Sequence, residues 1–214
     1  MTLTVALLVI AEATSGAAAI PLLPESLSEP VPKCQHQGKT VNAPKITERQ
    51  RAMYMQHLAA ANEEPLITLH RKFDDKGGSS VRFLWLRSFD APIIARVHGL
   101  GTSSPHIVAV QLTERGGYEL GVPSKVIDRP LKAGDVADLK NALAKSRFLH
   151  PPRKAAMLEK CTRTGGLDGA AWILEAVDRN GYHFERDWSP QSGEIRSIGI
   201  IMLKLTGLPL DSIY

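Results

Sequence analysis

The chain has 214 residues, enough for one domain of ordinary size with a tail, and 43% of them are hydrophobic and 22% charged. This composition supports a single packed core. The formal charge of +4 is mildly basic, but Lys and Arg are spread along the chain, in runs no longer than Arg71-Lys72 or Arg153-Lys154. Because nucleic-acid binders usually concentrate basic residues on one face, we expect no nucleic-acid partner.

The N-terminal stretch is typical of an export signal. Residues 3–13 are almost entirely apolar, and Ala17-Ala18-Ala19 then fits the small-x-small pattern of a cleavage site. The apolar run is shorter than the roughly 20 residues that span a bilayer. No Lys or Arg precedes the run, and a buried N-terminal helix or strand is the alternative. We predict a signal peptide over residues 1–19, a periplasmic or secreted location, and no membrane span in the mature chain.

The next stretch, residues 20–45, is rich in proline and has almost no periodic apolar pattern. Proline has no backbone amide donor, so its density predicts a linker without helices or sheet ladders. The folded domain is then predicted to cover residues 46–214.

The chain holds two cysteines, Cys34 and Cys161. In an oxidising compartment they would be able to form a disulfide, which would stabilise the fold by about 4–5 kcal/mol in the chain-entropy model. The alternative is two unpaired thiols, and spacing alone does not decide between them. The sequence near Cys34 has no second set of ligands for zinc, so we predict no metal and no cofactor.

The first half of the domain starts with a helix and continues with strands. Thr47 and Gln50 form a capping-box pattern, which predicts a helix to about Asn62. We interpret His57, on the apolar stripe of that helix, as a histidine at the edge of the core. Apolar runs bounded by Gly and Pro predict strands at residues 83–89, 93–97, 107–112 and, after a turn, 118–120. The loop over residues 98–106 contains Gly-Leu-Gly, but no helix follows it, so it predicts a hairpin and not a phosphate site.

The second half contains two more predicted helices and a hairpin. Asp135 is predicted to cap a helix that ends before His150, and a short helix is possible within residues 153–164. A final helix is predicted over residues 192–206, with Gly207 as its stop. Together the elements predict an α+β fold, a mainly antiparallel sheet with about three helices in a single domain.

Asn180-Gly181 is a strong hairpin signal between two strand-like runs, Ala171–Val177 and Tyr182–Trp188. With these two residues as the turn, Glu175 falls opposite Arg186. Side chains on one face are then residues 173, 175, 177, 182, 184, 186 and 188. Those on the other face are residues 172, 174, 176, 183, 185 and 187.

Three segments stand out in the last part of the chain: Leu167-Asp168-Gly169-Ala170-Ala171-Trp172-Ile173-Leu174-Glu175, Gly181-Tyr182-His183 and Arg186-Asp187-Trp188-Ser189-Pro190, followed by a glycine-ended helix. Together they resemble a group of uncharacterised bacterial exported proteins. The likeness extends over roughly residues 80–208. This group has no established activity, so the resemblance implies domain boundaries and no function.

The candidate site is a cluster formed by Asp168, Trp172, Glu175, His183 and Arg186. A carboxylate and an imidazole are able to perform acid–base chemistry, but paired charges in a sheet are more often structural. The chain has no Gly-x-Ser-x-Gly, His-Glu-x-x-His or Walker motif. Three hypotheses follow: an exported binding domain without catalysis, which we favour, an enzyme that uses residues 168–186, or a structural component of the cell envelope. A protein partner in the envelope fits the first.

Overall fold

The computed structural model describes residues 22–71, 78–113, 120–150, 168–210 and 212–214. Its strands are β1 (Val31–His36), β2 (Lys39–Ala43), β3 (Ser79–Arg87), β4 (Ile93–Leu100), β5 (His106–Leu112), β6 (Pro123–Pro130), β7 (Ala170–Asp178) and β8 (Gly181–Trp188). Its helices are α1 (Glu48–Ala60), α2 (Leu66–Arg71), α3 (Ala133–Lys145) and α4 (Glu194–Thr206), with a 3-10 turn at Glu25–Ser28.

Six strands form one sheet in the order β6-β5-β4-β3-β7-β8, in which every neighbouring pair is antiparallel. The predicted α+β fold with a mainly antiparallel sheet is confirmed. Helices cover both faces of the sheet, so the central strands β3 and β7 are buried on both sides. This burial explains why their sequences are nearly continuous apolar runs with no polar alternation.

Each face of the sheet has its own hydrophobic core. On one face, hereafter the α1 face, the buried residues include Leu23, Leu27, Ile46, Tyr54, Leu58, Leu84, Leu86, Ile94, Ile173 and Phe184. On the opposite face, hereafter the α3/α4 face, they include Val81, Phe83, Trp85, Ala95, Val97, Leu139, Trp172, Leu174, Ile198 and Met202. The sheet therefore separates two groups of side chains that do not meet.

Helix α1 begins as the sequence predicts. Thr47 Oγ1 accepts a hydrogen bond from the Gln50 amide at 3.3 Å, and Gln50 Oε1 accepts one from the Thr47 amide at 3.0 Å. His57 is buried, and its Nδ1 donates to the Met53 carbonyl at 2.8 Å. Burial lowers the pKa of His57, although the bond to Met53 opposes that shift. His57 is thus a neutral histidine of the core.

The other long helices differ slightly from prediction at their starts. Asp135 does not cap α3, which begins two residues earlier at Ala133 with Lys132 in the N-cap position. Asp135 instead lies in the first turn, where its negative charge is favourable to the helix dipole. Helix α4 begins at Glu194 and ends at Gly207, whose φ of 67° is the left-handed conformation expected of a glycine stop.

The prediction of a linker without sheet ladders is wrong for residues 22–45. Strands β1 and β2 pair there as an antiparallel hairpin, with a register irregularity between Pro32 and Cys34. Proline fits because a two-stranded hairpin has outer edges that need no ladder hydrogen bond. Leu23 and Leu27 are buried in the α1 face, so this segment belongs to the domain.

The strand that pairs with β5 at the edge of the sheet is β6, which the sequence analysis did not predict. Residues 114–119 lie outside the part of the chain that the structure describes, and Leu120 is exposed ahead of β6. Strand β6 is mostly exposed and has a proline at each end, as edge strands tolerate. Strand β6 lacks an apolar run, which was the pattern from which the other strands were predicted.

The β7–β8 hairpin forms, but its turn is one residue earlier than predicted. Asp178 pairs with Gly181, so Arg179 and Asn180 are the turn residues. The Asp178 carboxylate accepts a hydrogen bond from the Asn180 amide at 2.7 Å, which fixes this turn. Gly181, with a φ of 130°, supplies the positive φ at the start of β8.

The register moves with the turn, and the predicted Glu175–Arg186 cross-strand pair is wrong. Glu175 lies opposite Phe184, and Arg186 lies opposite Ile173. Each partner is displaced by two residues, and side chains alternate with a period of two, so the predicted membership of both faces is nevertheless correct.

None of the helices that the structure describes has the length and apolar content needed to cross a membrane. Three predictions fall outside the described residues: the signal peptide over residues 1–19, the short helix within 153–164, and the position of Cys161. Cys34 lies half-buried in β1. The signal peptide and the Cys34–Cys161 bridge therefore stay predictions.

Candidate functional site

The five residues of the predicted cluster do not form one site. Glu175 and Arg186 lie on the α1 face, whereas Trp172 and His183 lie on the α3/α4 face. Asp168 precedes β7 and is exposed. Because side chains on opposite faces of a sheet are separated by its backbone, Glu175 and His183 cannot act together on one substrate.

The partner of Glu175 is Arg82, which lies directly opposite it on β3. Arg82 Nε donates to Glu175 Oε2 at 2.7 Å, and Arg82 Nη2 donates to Oε1 at 2.9 Å. Both side chains are completely buried. This two-pronged geometry is the strongest form of an arginine–carboxylate pair.

Three further side chains extend this pair into a buried ion network, which we define as Arg82, Glu175, Glu63, Arg96 and Tyr182. Glu63 Oε2 accepts from Arg82 Nη1 at 3.3 Å and from Arg96 Nε at 2.8 Å. The Tyr182 hydroxyl donates to Glu175 Oε1 at 2.7 Å. Two positive and two negative charges balance, so the network carries no net charge.

The contacts of the buried ion network indicate that it stabilises the fold and takes no part in catalysis. Both oxygens of Glu175 accept hydrogen bonds, and Arg82 Nη1, which donates to Glu63, also donates to the Glu64 carbonyl at 2.7 Å. Burial, followed by the charge of Glu175, raises the pKa of Tyr182 well above its usual value, so this phenol stays protonated. A carboxylate with no free oxygen and no access to solvent has no means of exchanging protons with a substrate.

Sequence reasoning identified Glu175 and missed Arg82, although a signal was present. Each residue is the lone charge within an apolar run of six residues, Val-Arg-Phe-Leu-Trp-Leu and Trp-Ile-Leu-Glu-Ala-Val. A charge that is forced into a buried strand needs an opposite charge nearby. When one apolar strand carries a positive charge and another a negative charge, the two strands are therefore predicted to pair.

Arg186 has a structural contact on the same face. Its Nε donates to the Tyr54 hydroxyl of α1 at 2.7 Å. Burial raises the pKa of Tyr54, and the charge of Arg186 only partly offsets that effect. The contact ties the edge strand β8 to α1.

His183, on the other face, is paired with the turn residue Asp178. Its Nε2 lies 3.1 Å from Asp178 Oδ1, and its ring packs against Phe148 with centroids 5.9 Å apart. Partial burial tends to raise the pKa of Asp178, but hydrogen bonds from His183 and the Asn180 amide outweigh it and lower the pKa. This pair also serves the hairpin.

Trp172 lies in an aromatic group on the α3/α4 face. Its ring meets Phe83 edge-on at 5.3 Å and Trp85 at 5.9 Å, between centroids. Its indole N–H donates to the main-chain oxygen of Tyr214 at 2.9 Å. Trp172 thus connects the core to the segment that follows α4.

An open groove of about 680 Å³ runs between α3 and α4. Its lining mixes apolar and charged side chains: Asp135, Asp138, Asn141, Ala142, Lys145, Ser146, Gly193, Glu194, Ser197, Ile198, Ile201, Lys204 and Leu205. Sequence reasoning did not find this groove, because it depends on how the two helices are placed and not on any local motif.

A second hollow, of about 390 Å³, adjoins the groove and shares Gly193 and Glu194 with it. Glu185 and Asp187 of β8 add two more carboxylates, and Arg147 lies at its edge. We call the groove and this hollow together the acidic cleft. Crowding by protein atoms raises the pKa of Glu185, Lys45 opposes this, and Glu194 and Asp187 raise it further.

Comparisons with known proteins add no assignment. No family model, no curated protein and no solved structure matches the chain. Within the residues that the structure describes, no group of three or more His, Cys, Asp or Glu side chains is arranged to hold a metal ion.

Proposed function

We propose that this chain is an exported binding domain that holds a basic segment of a partner protein in the acidic cleft. The observation that carries the proposal is the concentration of Glu185, Asp187 and Glu194 around one open hollow, continuous with the groove between α3 and α4. Five carboxylates line the acidic cleft, against three cations, Lys145, Lys204 and Arg147. Such an excess of negative charge attracts a partner of the opposite sign.

The raised pKa of Glu185 supports a cationic partner. Its charge is disfavoured by crowding and by the neighbouring carboxylates Glu194 and Asp187. A Lys or Arg side chain from a partner would relieve this repulsion. The Glu194 carboxylate already accepts a hydrogen bond from the Arg147 amide at 2.8 Å, so it is held in place at the edge of the hollow.

The groove supplies the apolar part of such an interface. Ile198 and Ile201 of α4 and Ala142 of α3 line the groove. An interface with apolar contacts at its centre and charges at its rim is the usual arrangement for protein partners.

A charge-removal experiment tests the proposal. The double variant Glu185→Gln/Asp187→Asn should weaken binding of a fluorescent oligolysine peptide about tenfold, since each lost contact contributes about 0.5–1 kcal/mol. The matched control is Glu25→Gln/Glu29→Gln, which removes the same charge from exposed sites outside the cleft. Equal binding by the two double variants, measured by fluorescence anisotropy, would refute the proposed site.

The exported location is tested separately. Residues 1–30 fused to a reporter that is active only outside the cytoplasm should give activity. A silent fusion, with the start codon verified, would reject export.

The bridge between Cys34 and Cys161 belongs to the same proposal. Non-reducing mass spectrometry of exported protein should show the two cysteines linked, because an oxidising compartment favours the disulfide. Two alkylatable thiols in fresh material would contradict it.

An enzyme is the second candidate, favoured by the same raised pKa of Glu185. A carboxyl group with a raised pKa beside further acidic side chains is an arrangement used for acid–base catalysis. A structural envelope component is less well supported, since the acidic cleft is large and open. The resemblance to exported proteins of no established activity is compatible with each candidate.

A further inference from the structure

The residues described after α4 pack on the α3/α4 face, and Tyr214 lies against two buried tryptophans. Leu208, Leu210, Ile213 and Tyr214 are half-buried and pack on the hydrophobic core of that face. None of the described residues from Leu208 onward belongs to a helix or a strand. The domain therefore holds this segment by side-chain contacts and not by a backbone ladder.

Two indole donors converge on one atom of this segment. Trp85 Nε1 donates to the main-chain oxygen of Tyr214 at 3.1 Å, and Trp172 Nε1 donates to the same oxygen at 2.9 Å. Both tryptophans are completely buried. Buried indole N–H groups require an acceptor, and the Tyr214 oxygen serves as the acceptor for both.

Two arginines lie beside these tryptophans, and we call the surroundings of the Tyr214 oxygen the tryptophan cleft, or in this subsection the cleft. Arg196 Nη2 donates to the Ile213 carbonyl at 3.4 Å, and its guanidinium lies 5.5 Å from the centre of the Trp172 ring. The Arg87 guanidinium lies 4.3 Å from the centre of the Trp85 ring. Each of the two indole rings therefore has a cation above its face, and Arg87 is also paired with Asp90 at 3.7 Å.

The cleft also recognises a side chain. The Tyr214 hydroxyl donates to Asp90 Oδ2 at 2.6 Å, and its ring lies 6.2 Å from the Trp85 ring between centroids. A phenylalanine would keep the ring contact and lose the hydrogen bond. The cleft thus distinguishes tyrosine from other residues by the same type of contact that binds its main chain.

We propose that the cleft formed by Trp85, Trp172, Arg196 and Asp90 is a peptide-binding site for a segment that contains tyrosine, and that residues 208–210 and 212–214 occupy it as an intramolecular ligand. This site is on a different part of the molecule from the acidic cleft, and it does not depend on the function proposed above. A partner segment of the same chemistry binds by displacing the chain's own segment.

A competition experiment with the full-length chain tests the proposal. The probe is a fluorescent synthetic peptide that copies residues 208–214, and its binding is followed by anisotropy and by the emission of Trp85 and Trp172. Tyr214→Ser weakens the intramolecular ligand and leaves the cleft intact, so this variant should bind the probe at least tenfold more tightly than the unchanged chain. The matched control is Ser212→Ala, an exposed position in the same segment, which should bind like the unchanged chain.

Peptide variants define the chemistry that is recognised. A probe with phenylalanine in place of tyrosine should bind the Tyr214→Ser chain about tenfold more weakly, because it cannot reach Asp90. Probes that end in an acid or an amide show whether charge on the shared oxygen contributes. Equal probe affinity for the Tyr214→Ser and Ser212→Ala chains, or binding of a scrambled probe as tight as that of the copy, would overturn the proposal.

A second variant tests whether the domain stays folded without the segment. A protease site inserted after Gly207, which is exposed, allows the segment to be cut from protein that has already folded. The cut domain should keep its circular dichroism spectrum and bind the added probe saturably. Unfolding after the cut would show that the segment is an integral part of the core, and it would overturn the proposal.

Discussion

The two faces of the sheet are stabilised in different ways. The α1 face buries four charges, which are satisfied within the buried ion network of Arg82, Glu175, Glu63, Arg96 and Tyr182. The α3/α4 face buries aromatic rings, among them Phe83, Trp85 and Trp172. The same two strands, β3 and β7, supply both groups from their alternate residues.

This contrast teaches that the two faces should respond to different kinds of change. A buried charge is costly once its partner is lost, so the α1 face is sensitive to the removal of a single polar group. Close-packed rings leave no free volume, so the α3/α4 face is sensitive to added atoms. Charge removal on the α1 face and glycine-to-alanine substitution on the α3/α4 face test this difference.

The largest expected effect is on the α1 face. Arg82→Met should lower the free energy of unfolding by about 3–5 kcal/mol, because it leaves Glu175 buried without a counter-charge. The double variant Arg82→Met/Glu175→Leu should recover much of this loss, since Glu63 and Arg96 still balance each other. Urea unfolding followed by circular dichroism measures both. A double variant that is no more stable than Arg82→Met would contradict the network.

The next effect is on the α3/α4 face, where Gly199 of α4 approaches the rings closely. An added Cβ would lie 2.7 Å from Trp172 Cζ3 and 2.8 Å from the Phe83 ring. Gly199→Ala should therefore lower the free energy of unfolding by about 1–3 kcal/mol through overpacking. The control is Gly134→Ala in α3, where nothing lies within 4 Å and alanine should stabilise the helix by about 0.5–1 kcal/mol. Thermal unfolding of the two variants should therefore shift in opposite directions.

The same substitution at the hairpin, which belongs to neither core, should have a smaller effect. Gly181→Ala meets no atom within 4 Å, but its φ of 130° is a conformation that alanine resists. We expect a loss of about 1 kcal/mol from backbone strain alone. An unchanged midpoint of urea unfolding would show that the turn relaxes, and that the alternative turn at Asn180-Gly181 is accessible.

The smallest effect is a pH dependence at Asp178. Hydrogen bonds from His183 and the Asn180 amide hold its pKa in the folded chain below the ordinary value of about 3.9. The contribution to stability is therefore present above about pH 4 and is lost as the pH falls through the folded pKa. Asp178→Asn should flatten the stability profile in that acid range. Parallel profiles for the variant and the unchanged chain would count against the pairing.

The sequence predicted the faces of the β7–β8 hairpin better than its register. Apolar alternation decides which side chains are buried, and it is insensitive to a displacement of two residues. The register depended on whether Asp178 or Arg179 precedes the turn, and the side-chain hydrogen bond from Asp178 decides this. The turn propensity of Asn180-Gly181 could not reveal that competing bond.

The candidate sites were less predictable than the fold, for a related reason. The partner of Glu175 lies 93 residues away in sequence, and the acidic cleft is assembled from α3, α4 and β8. Apart from a charge inside each of two apolar runs, local patterns carry no information about which strands become neighbours across such a distance. The prolines of residues 20–45 were also misleading, because short edge strands tolerate them.

The order of strands has a consequence for how the chain folds. Strands β3 to β6 are each joined to the next one along the chain, and so are β7 and β8, but β3 meets β7 only after most of the domain has been synthesised. Closing that long loop costs chain entropy before any contact compensates for it. Arg82 and Glu175 lie at this seam, where two separately formed halves must align to the residue. A register slip of one position would place Arg82 and Glu175 on opposite faces of the sheet, each buried without its partner, so this pair disfavours a misaligned sheet.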